Sequence, residues 1–348
     1  MGLRISSTHS NSISLIASTS RHSTQHALTL MTTAGNNIGY WGPPTSSIDW
    51  CEDNYVVSFY IAEFFNSFSS FAMIILGETA CYSIDRLQSD MERTLASSTT
   101  MNTIRAPSLF RFKLAFRTIT VVGIGSFLFH ATLLHHMQML DELPMLYSVL
   151  TLFFCLIESR FGPRPAWFAR SLAVLGVVVT ILVAFTEGDM QFYSFHGTFG
   201  PLEVATLYLI FRVYLARKSE YPDVRKVFEA GIGLYAIAVA VWMTDLSFCT
   251  KPLLTWLGRL GVNEPRPYEV AHHEHAQWIV KDLYLHAWWH ILVSMGLYLL
   301  STVIMLDGLI IQGWRPQLHL KGGWLPVVTV LGMHSDAKSK TSKAHREN

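Results

Sequence analysis

Charge is what this chain has least of. Asp, Glu, Lys and Arg make up 15% of its 348 residues, against about 25% in a soluble domain. The two signs nearly cancel, at a formal +1, and no basic patch with interleaved aromatics occurs, which excludes a nucleic-acid partner. Residues 1–48 contain no Asp or Glu at all. They also lack the apolar core of a signal peptide, and their Ser, Thr and His content reads as a disordered tail over 1–38. The opening MGLRIS fits only the loose N-myristoylation pattern. No internal repeat and no low-complexity core divides the remainder of the chain.

Hydrophobic residues, by contrast, fill half of the chain, and mean hydropathy is +0.30. Apolar stretches near the ~20 residues that cross a bilayer fall at 55–81, 110–134, 138–158, 166–187, 194–215, 227–249 and 281–311. The expected fold is therefore all-α: a polytopic membrane protein with a seven-transmembrane helix bundle over 39–314. The segment 315–348 reads as a basic tail. Seven spans place Arg4, Arg21, Lys251, Arg259, Arg266 and Lys281 on one side and nineteen Lys or Arg on the other. By the positive-inside rule the N-terminus is lumenal or external and the C-terminus cytosolic. Of the four cysteines, Cys81 and Cys155 fall toward the cytosolic ends of their helices, where disulfides are disfavoured. Cys51 and Cys249 face the oxidising side, where topology permits a bridge; two separate buried thiols are the alternative.

Ionisable groups inside such spans are costly and mark function. In VVGIGSFLFHATLLHHMQMLDELPMLY (121–147), Ser126 and His130 stand four apart, on one helical face. His286 and His290 repeat that spacing at the start of the last span. Two imidazoles at i and i+4 can grip one metal ion, and a third leaves a position open for water, as in catalytic zinc sites. An unbroken helix over 110–158 would run about 70 Å at 1.5 Å per residue, so it must turn, most readily at LLHHMQ. That turn returns Asp141 to the depth of His130, His286 and His290, with Pro144 in the first turn of the new helix. An aspartate beside a metal-bound water suits a general base. His135 and His136 read as loop or interface residues, and HHEH at 272–275, a rival metal cluster, as an adventitious or surface one.

A second group, in SSIDWCEDNYVVSFYIAEFFN, crowds Asp49, Glu52, Asp53 and Asn54 together, with Glu63 two turns inside the first span. Such hard oxygen donors suit calcium, although the spacing is not that of an EF-hand; helix-capping acids are the alternative.

Together GYWGPPTSSIDWCEDNY, GSFLFH, QMLDELPMLY and HAWWH, in that order across residues 39–300, resemble the alkaline ceramidase family, seven-helix membrane amidases of the endoplasmic reticulum and Golgi. The resemblance implies zinc held by His130, His286 and His290. It implies that Asp141 acts as base and acid and that Ser126 positions the water or stabilises the oxyanion. Calcium would bind Asp49, the Trp50 carbonyl, Glu52, Asn54 and Glu63, and Cys51 would pair with Cys249. The implied reaction is hydrolysis of the amide of ceramide, a membrane lipid (dihydro- and phytoceramide included), to a sphingoid base and a fatty acid. Two departures stand out: the long N-terminus, and Met243, beside Asp245, where several relatives carry Asn. The alternative is a receptor of the progestin and adiponectin type, which has a similar three-histidine arrangement but an inverted orientation.

Overall fold

The computed structural model describes residues 39–97, 108–249, 282–322 and 325–333. HHEH at 272–275 and the terminal tails lie outside these residues. Among the described residues eight helices run in order: α1 (Phe64–Ser69), α2 (Phe71–Ala96), α3 (Phe110–Thr132), α4 (His135–Phe161), α5 (Ala166–Ala184), α6 (Gly188–Arg217), α7 (Pro222–Cys249) and α8 (Leu285–Ile311). With α1 and α2 counted as one span, seven among the described residues are long and apolar enough to cross a membrane.

Burial ranks these spans. In the apolar stretch of α8, 78% of residues are buried inside the protein, against 17% in α5 and α6. The last span is thus the central post, and α5 and α6 turn most of their surface outward. All backbone groups of a spanning segment must be paired internally, which is why helices carry the crossing.

The first span begins later than hydropathy suggests. The run YVVSFYIA (55–62) is as apolar as a span, yet Tyr55 adopts a left-handed backbone (φ 58°) and α1 starts only at Phe64. Hydrogen bonding explains this. The amides of Ala62 and Glu63 donate to the Ala131 and His130 carbonyls at 2.9 and 3.0 Å, and Thr45 and Ser46 donate to Leu133. These carbonyls end α3, where a helix leaves its last acceptors unpaired. Glu52 takes the free amides of α1 instead, accepting from Phe65 and Asn66 at 2.7 and 2.8 Å. The N-terminal segment is therefore spent on capping two helices and cannot itself be helical. Glu63 consequently stands at the N-cap of α1 and not two turns inside the span. At its far end α2 runs on to Ala96, past the apolar limit at 81, through ion-paired turns such as Asp85–Lys113 at 2.6 Å.

The turn between α3 and α4 falls where expected but is tighter: Leu133 takes a left-handed conformation (φ 52°) and His135 already opens α4. Pro144 therefore lies inside α4, not in its first turn. Proline cannot donate to the carbonyl four residues back, here that of Leu140. Opposite stands Gly125 of α3, where an added Cβ would lie 1.9 Å from the Leu140 oxygen. Only glycine lets the two backbones meet at this point, one residue from both Ser126 and Asp141.

Residues 314–322 and 325–333, placed in the tail by composition from 315 onward, instead form the two strands of an antiparallel hairpin, β1 (Trp314–Lys321) and β2 (Leu325–Met333). Trp314 is fully buried, and the Tyr298 hydroxyl of α8 donates to the Pro326 carbonyl at 2.7 Å. The hairpin closes the end of the bundle away from the histidines. Its apolar valines, too few for a span, pack on α2 and α8.

Gly125→Val should disrupt the α3–α4 contact, lowering stability by about 1–3 kcal/mol or more, as overpacking does. Thermal unfolding of the detergent-solubilised variant measures it, and an unchanged midpoint would contradict this close approach.

Candidate metal centre and active site

Two helices deliver the histidines. His130 is in the last turn of α3, and His286 and His290 lie one turn apart at the start of α8. All three are buried, and their ligand nitrogens lie within 4.8 Å of one another. Among the described residues, no other group of three His, Cys, Asp or Glu converges so closely.

Outer contacts orient two of the rings. His130 Nδ1 hydrogen-bonds the buried Glu63 carboxylate. His290 Nδ1 faces the Asn66 carbonyl at 3.1 Å and the Ser69 hydroxyl at 2.8 Å. A metal-ligating histidine characteristically donates its second ring N–H in this way, which sets the tautomer and leaves the other nitrogen's lone pair for the ion. The third ring, His286, stacks on Trp50 with centroids 3.7 Å apart. His130 Nε2 and His286 Nδ1 are both buried without a protein partner. Orphaned buried imidazole nitrogens are expensive, and a metal ion at the convergence would satisfy them. The donor set fits a metal ion held by three protein ligands.

Ser126 and Asp141 join this centre. The Ser126 hydroxyl lies 3.4 Å from His290 Nε2 and accepts from Ser70 at 3.1 Å. It also reaches the Asp141 side chain across the α3–α4 contact. A carboxylate, a hydroxyl and a three-histidine site thus share one depth, as acid–base chemistry at a metal requires.

The acidic group is more dispersed. Asn54 Nδ2 donates to Asp49 at 3.1 Å, while Asn54 Oδ1 is buried without a partner. Glu63 accepts from the Trp50 amide at 3.2 Å and from Asn66 Nδ2 at 3.1 Å. Asp49 itself is exposed at the rim. Burial pushes the Glu52 carboxyl up to about 7, although the Phe65 and Asn66 amides pull it the other way and nearby Glu63 adds to the rise. Buried carboxylates at low dielectric want a countercharge, but among the described residues Asp49, Glu52 and Glu63 do not converge as the histidines do.

Cys51 is disulfide-bonded, whereas Cys81 and Cys155 are free and buried. The Cys51 sulfur lies 3.7 Å from the Asp245 carbonyl, one turn before Cys249, whose side chain lies outside the described residues. Asp245 is buried near Glu63 and Glu52, while Met243, two residues before it, is 42% exposed. His136 is bystander surface, and His135 donates its amide to Thr45.

Several residues escaped sequence reasoning. Asn66, Ser69 and Ser70 hold His290 and Ser126, yet FNSFSSF reads as ordinary helix; their i, i+3, i+4 spacing among phenylalanines was the available signal. Gln138, Glu142 and Gln191 form a buried network that also accepts the Ser47 amide, joining α4, α6 and the N-terminal segment.

Fold and site together define a seven-helix membrane protein with three buried histidines able to hold a metal ion and an adjoining Ser–Asp pair. The ceramidase family model matches residues 42–329, and the chain belongs to that family, hydrolases acting on the ceramide amide bond. It is 28% identical over 302 residues to alkaline ceramidase 3 of Mus musculus, covering 86% of this chain and 97% of that protein. It is 26% identical to an alkaline ceramidase of Arabidopsis thaliana (84% and 95% covered) and 27% to alkaline ceramidase YPC1 of Saccharomyces cerevisiae (75% and 76%).

Glu63→Gln should weaken metal binding by about 10–100-fold, the usual cost of losing an outer-shell carboxylate. Metal titration of stripped protein, followed by elemental analysis, measures it. Wild-type affinity in the variant would show that the Glu63–His130 contact does not tune the centre.

Proposed function

We propose that the protein is an alkaline ceramidase that hydrolyses ceramide, dihydro- or phytoceramide included, to a sphingoid base and a free fatty acid, with zinc at His130, His286 and His290. The convergence of those histidines with Ser126 and Asp141 at one buried level carries this reading. Three neutral imidazoles with an open face suit zinc among biological metals.

Bound there, zinc supplies Lewis-acid polarisation of the carbonyl and a water made acidic enough to react near neutral pH. The chain's own residues do the rest. Asp141 takes the proton of the attacking water as its oxygen bonds the amide carbon. Ser126, held by Ser70 from behind, turns its hydroxyl to the carbonyl oxygen as negative charge grows there. Asp141 then returns the proton to the departing nitrogen as the C–N bond breaks. Glu63, Asn66 and Ser69 keep the imidazoles fixed throughout, so little reorganisation accompanies the reaction. The substrate's two chains already lie in the bilayer, which explains a site built inside a membrane bundle.

Calcium is the second cation of this reading, at Asp49, the Trp50 carbonyl, Glu52, Asn54 and Glu63. Glu63 belongs to both sites, so the acidic group steadies the histidine centre. Cys51 pairs with Cys249, tying the N-terminal segment to α7. The charge distribution puts the N-terminus in the lumen and the C-terminus in the cytosol, in the endoplasmic reticulum or Golgi membrane.

Asp141→Asn should cut fatty-acid release from ceramide by about 10²-fold or more, as loss of a general base does. Ser126→Ala should cost about 10²–10³-fold. Release is assayed on purified variants whose thermal midpoints match wild type, with zinc removed by chelation and restored. Turnover retained in both variants would refute the assignment. The disulfide is checked separately: Cys51→Ser should lower stability by about 2–5 kcal/mol. Unreduced peptide mapping should join Cys51 to Cys249, and any other partner overturns the pairing.

A further inference from the structure

Between Asn54 and Glu63 the chain carries eight residues without a charge, YVVSFYIA. They precede the first spanning helix, and most of them lie outside the core as well. Val56, Val57, Phe59 and Tyr60 are 56–64% exposed, and Tyr40 and Trp41 beside them are 59% and 41% exposed. Such a contiguous apolar surface is unusual on a part of a protein that faces water alone.

The patch is held in shape. The Tyr40 amide donates to the Phe59 carbonyl at 2.9 Å, and Trp41 Nε1 donates to the Tyr60 carbonyl at 2.8 Å. Tyr40 packs against Trp41, Phe59 and Tyr60 with ring centroids 4.9–6.5 Å apart. Tyr55, Ala62, Phe129, Leu133 and Met137 form the small core beneath. A rigid support under an exposed apolar tip is what an inserted wedge needs and a solvent loop does not.

Depth and continuity decide what covers it. Ala62 and Glu63 bond the last turn of α3, so the segment lies level with the membrane end of that span. Beyond Glu63 the exposed apolar surface continues without a break through Phe65, Phe68, Phe71 and Ile75 of the first span, 41–62% exposed. That surface faces lipid because it belongs to a membrane-crossing helix. Tyr and Trp tips with aliphatic side chains between them match the interfacial region, where an amphipathic ring sits at headgroup level. Phe65 also packs on Tyr284 at 4.3 Å, two residues before His286.

We propose that the exposed tip of residues 40–60 is an interfacial wedge inserted into the leaflet on the metal-site side, and that it seats lipid headgroups beside Phe65 and Tyr284, next to His286. The wedge fixes how deep the leaflet rides on the protein, and hence how a lipid amide is presented to the histidines. The presentation role rests on the ceramidase reading; insertion does not.

The test uses the full chain in phosphatidylcholine vesicles. Val57→Cys carries an environment-sensitive fluorophore; Cys81 and Cys155 are buried and Cys51 is bonded. Blue-shifted emission, quenched by phosphatidylcholine bearing a nitroxide near the headgroup end of its acyl chain, is the expected result. Water-like emission overturns the proposal. Blue-shifted emission that lipid nitroxides do not quench also overturns it, and assigns the patch to a second copy or to residues 1–38. In the activity arm, Val56→Ser/Phe59→Ser/Tyr60→Ser should lose several-fold in hydrolysis of long-chain ceramide in vesicles. It should match wild type on a short-chain ceramide dispersed in detergent. Equal loss on both substrates overturns the presentation role. Absence of ceramide hydrolysis by wild type would instead reject the ceramidase reading, leaving the fluorescence result to decide insertion.

Discussion

Glu63 is the hinge of the structure. Its side chain accepts hydrogen bonds from the Trp50 amide and Asn66 and meets His130, while its own amide donates to the His130 carbonyl. One fully buried residue therefore joins the N-terminal segment, α1, the end of α3 and the histidine centre. Removing one partner from such a buried contact commonly costs about 3–5 kcal/mol, because the other is left unpaired. The Trp50–His286 stack and the capping of α1 by Glu52 lie on either side of this anchor.

The rest of the bundle obeys a related constraint: a polar group taken into the membrane must find a partner there. The structure meets it in different ways. Gln138, Glu142 and Gln191 satisfy one another between α4 and α6. Tyr235 donates to Glu203 at 2.7 Å, joining α6 to α7, and Arg217 meets Asp307 at 2.7 Å beside the hairpin. Exceptions remain among the described residues, and several crowd the site: His130 Nε2 and His286 Nδ1 in the histidine centre, with Asn54 Oδ1 and the Asp245 carboxylate oxygens beside it.

Much of the site was legible because helical spacing is local information. Ser126 with His130, and His286 with His290, share faces by the 3.6-residue period, and the length limit on a span forces the turn that brings Asp141 back. Less visible was whatever depends on pairing distant backbone groups. YVVSFYIA reads as membrane helix because hydropathy cannot register that its flanking amides are taken up by the end of α3. The hairpin over 314–333 escaped for a similar reason, since its strands acquire a buried face only against α2 and α8. Asn66, Ser69 and Ser70 looked like tolerated small polar residues until His290 was placed opposite them.

The chain by itself determined its seven crossings, the break between α3 and α4 and the residue types able to hold a metal, since hydropathy and helical period are written along one dimension. Tertiary structure alone decided that Glu52 caps a helix thirteen residues on, and that Glu63 stands at a helix start and serves both polar groups. It also decided that Gly125 and Pro144 meet, and that an oily stretch without charge lies outside the helices. Each of these is settled by which unpaired donor lies beside which unpaired acceptor, a question with no answer until the helices are packed.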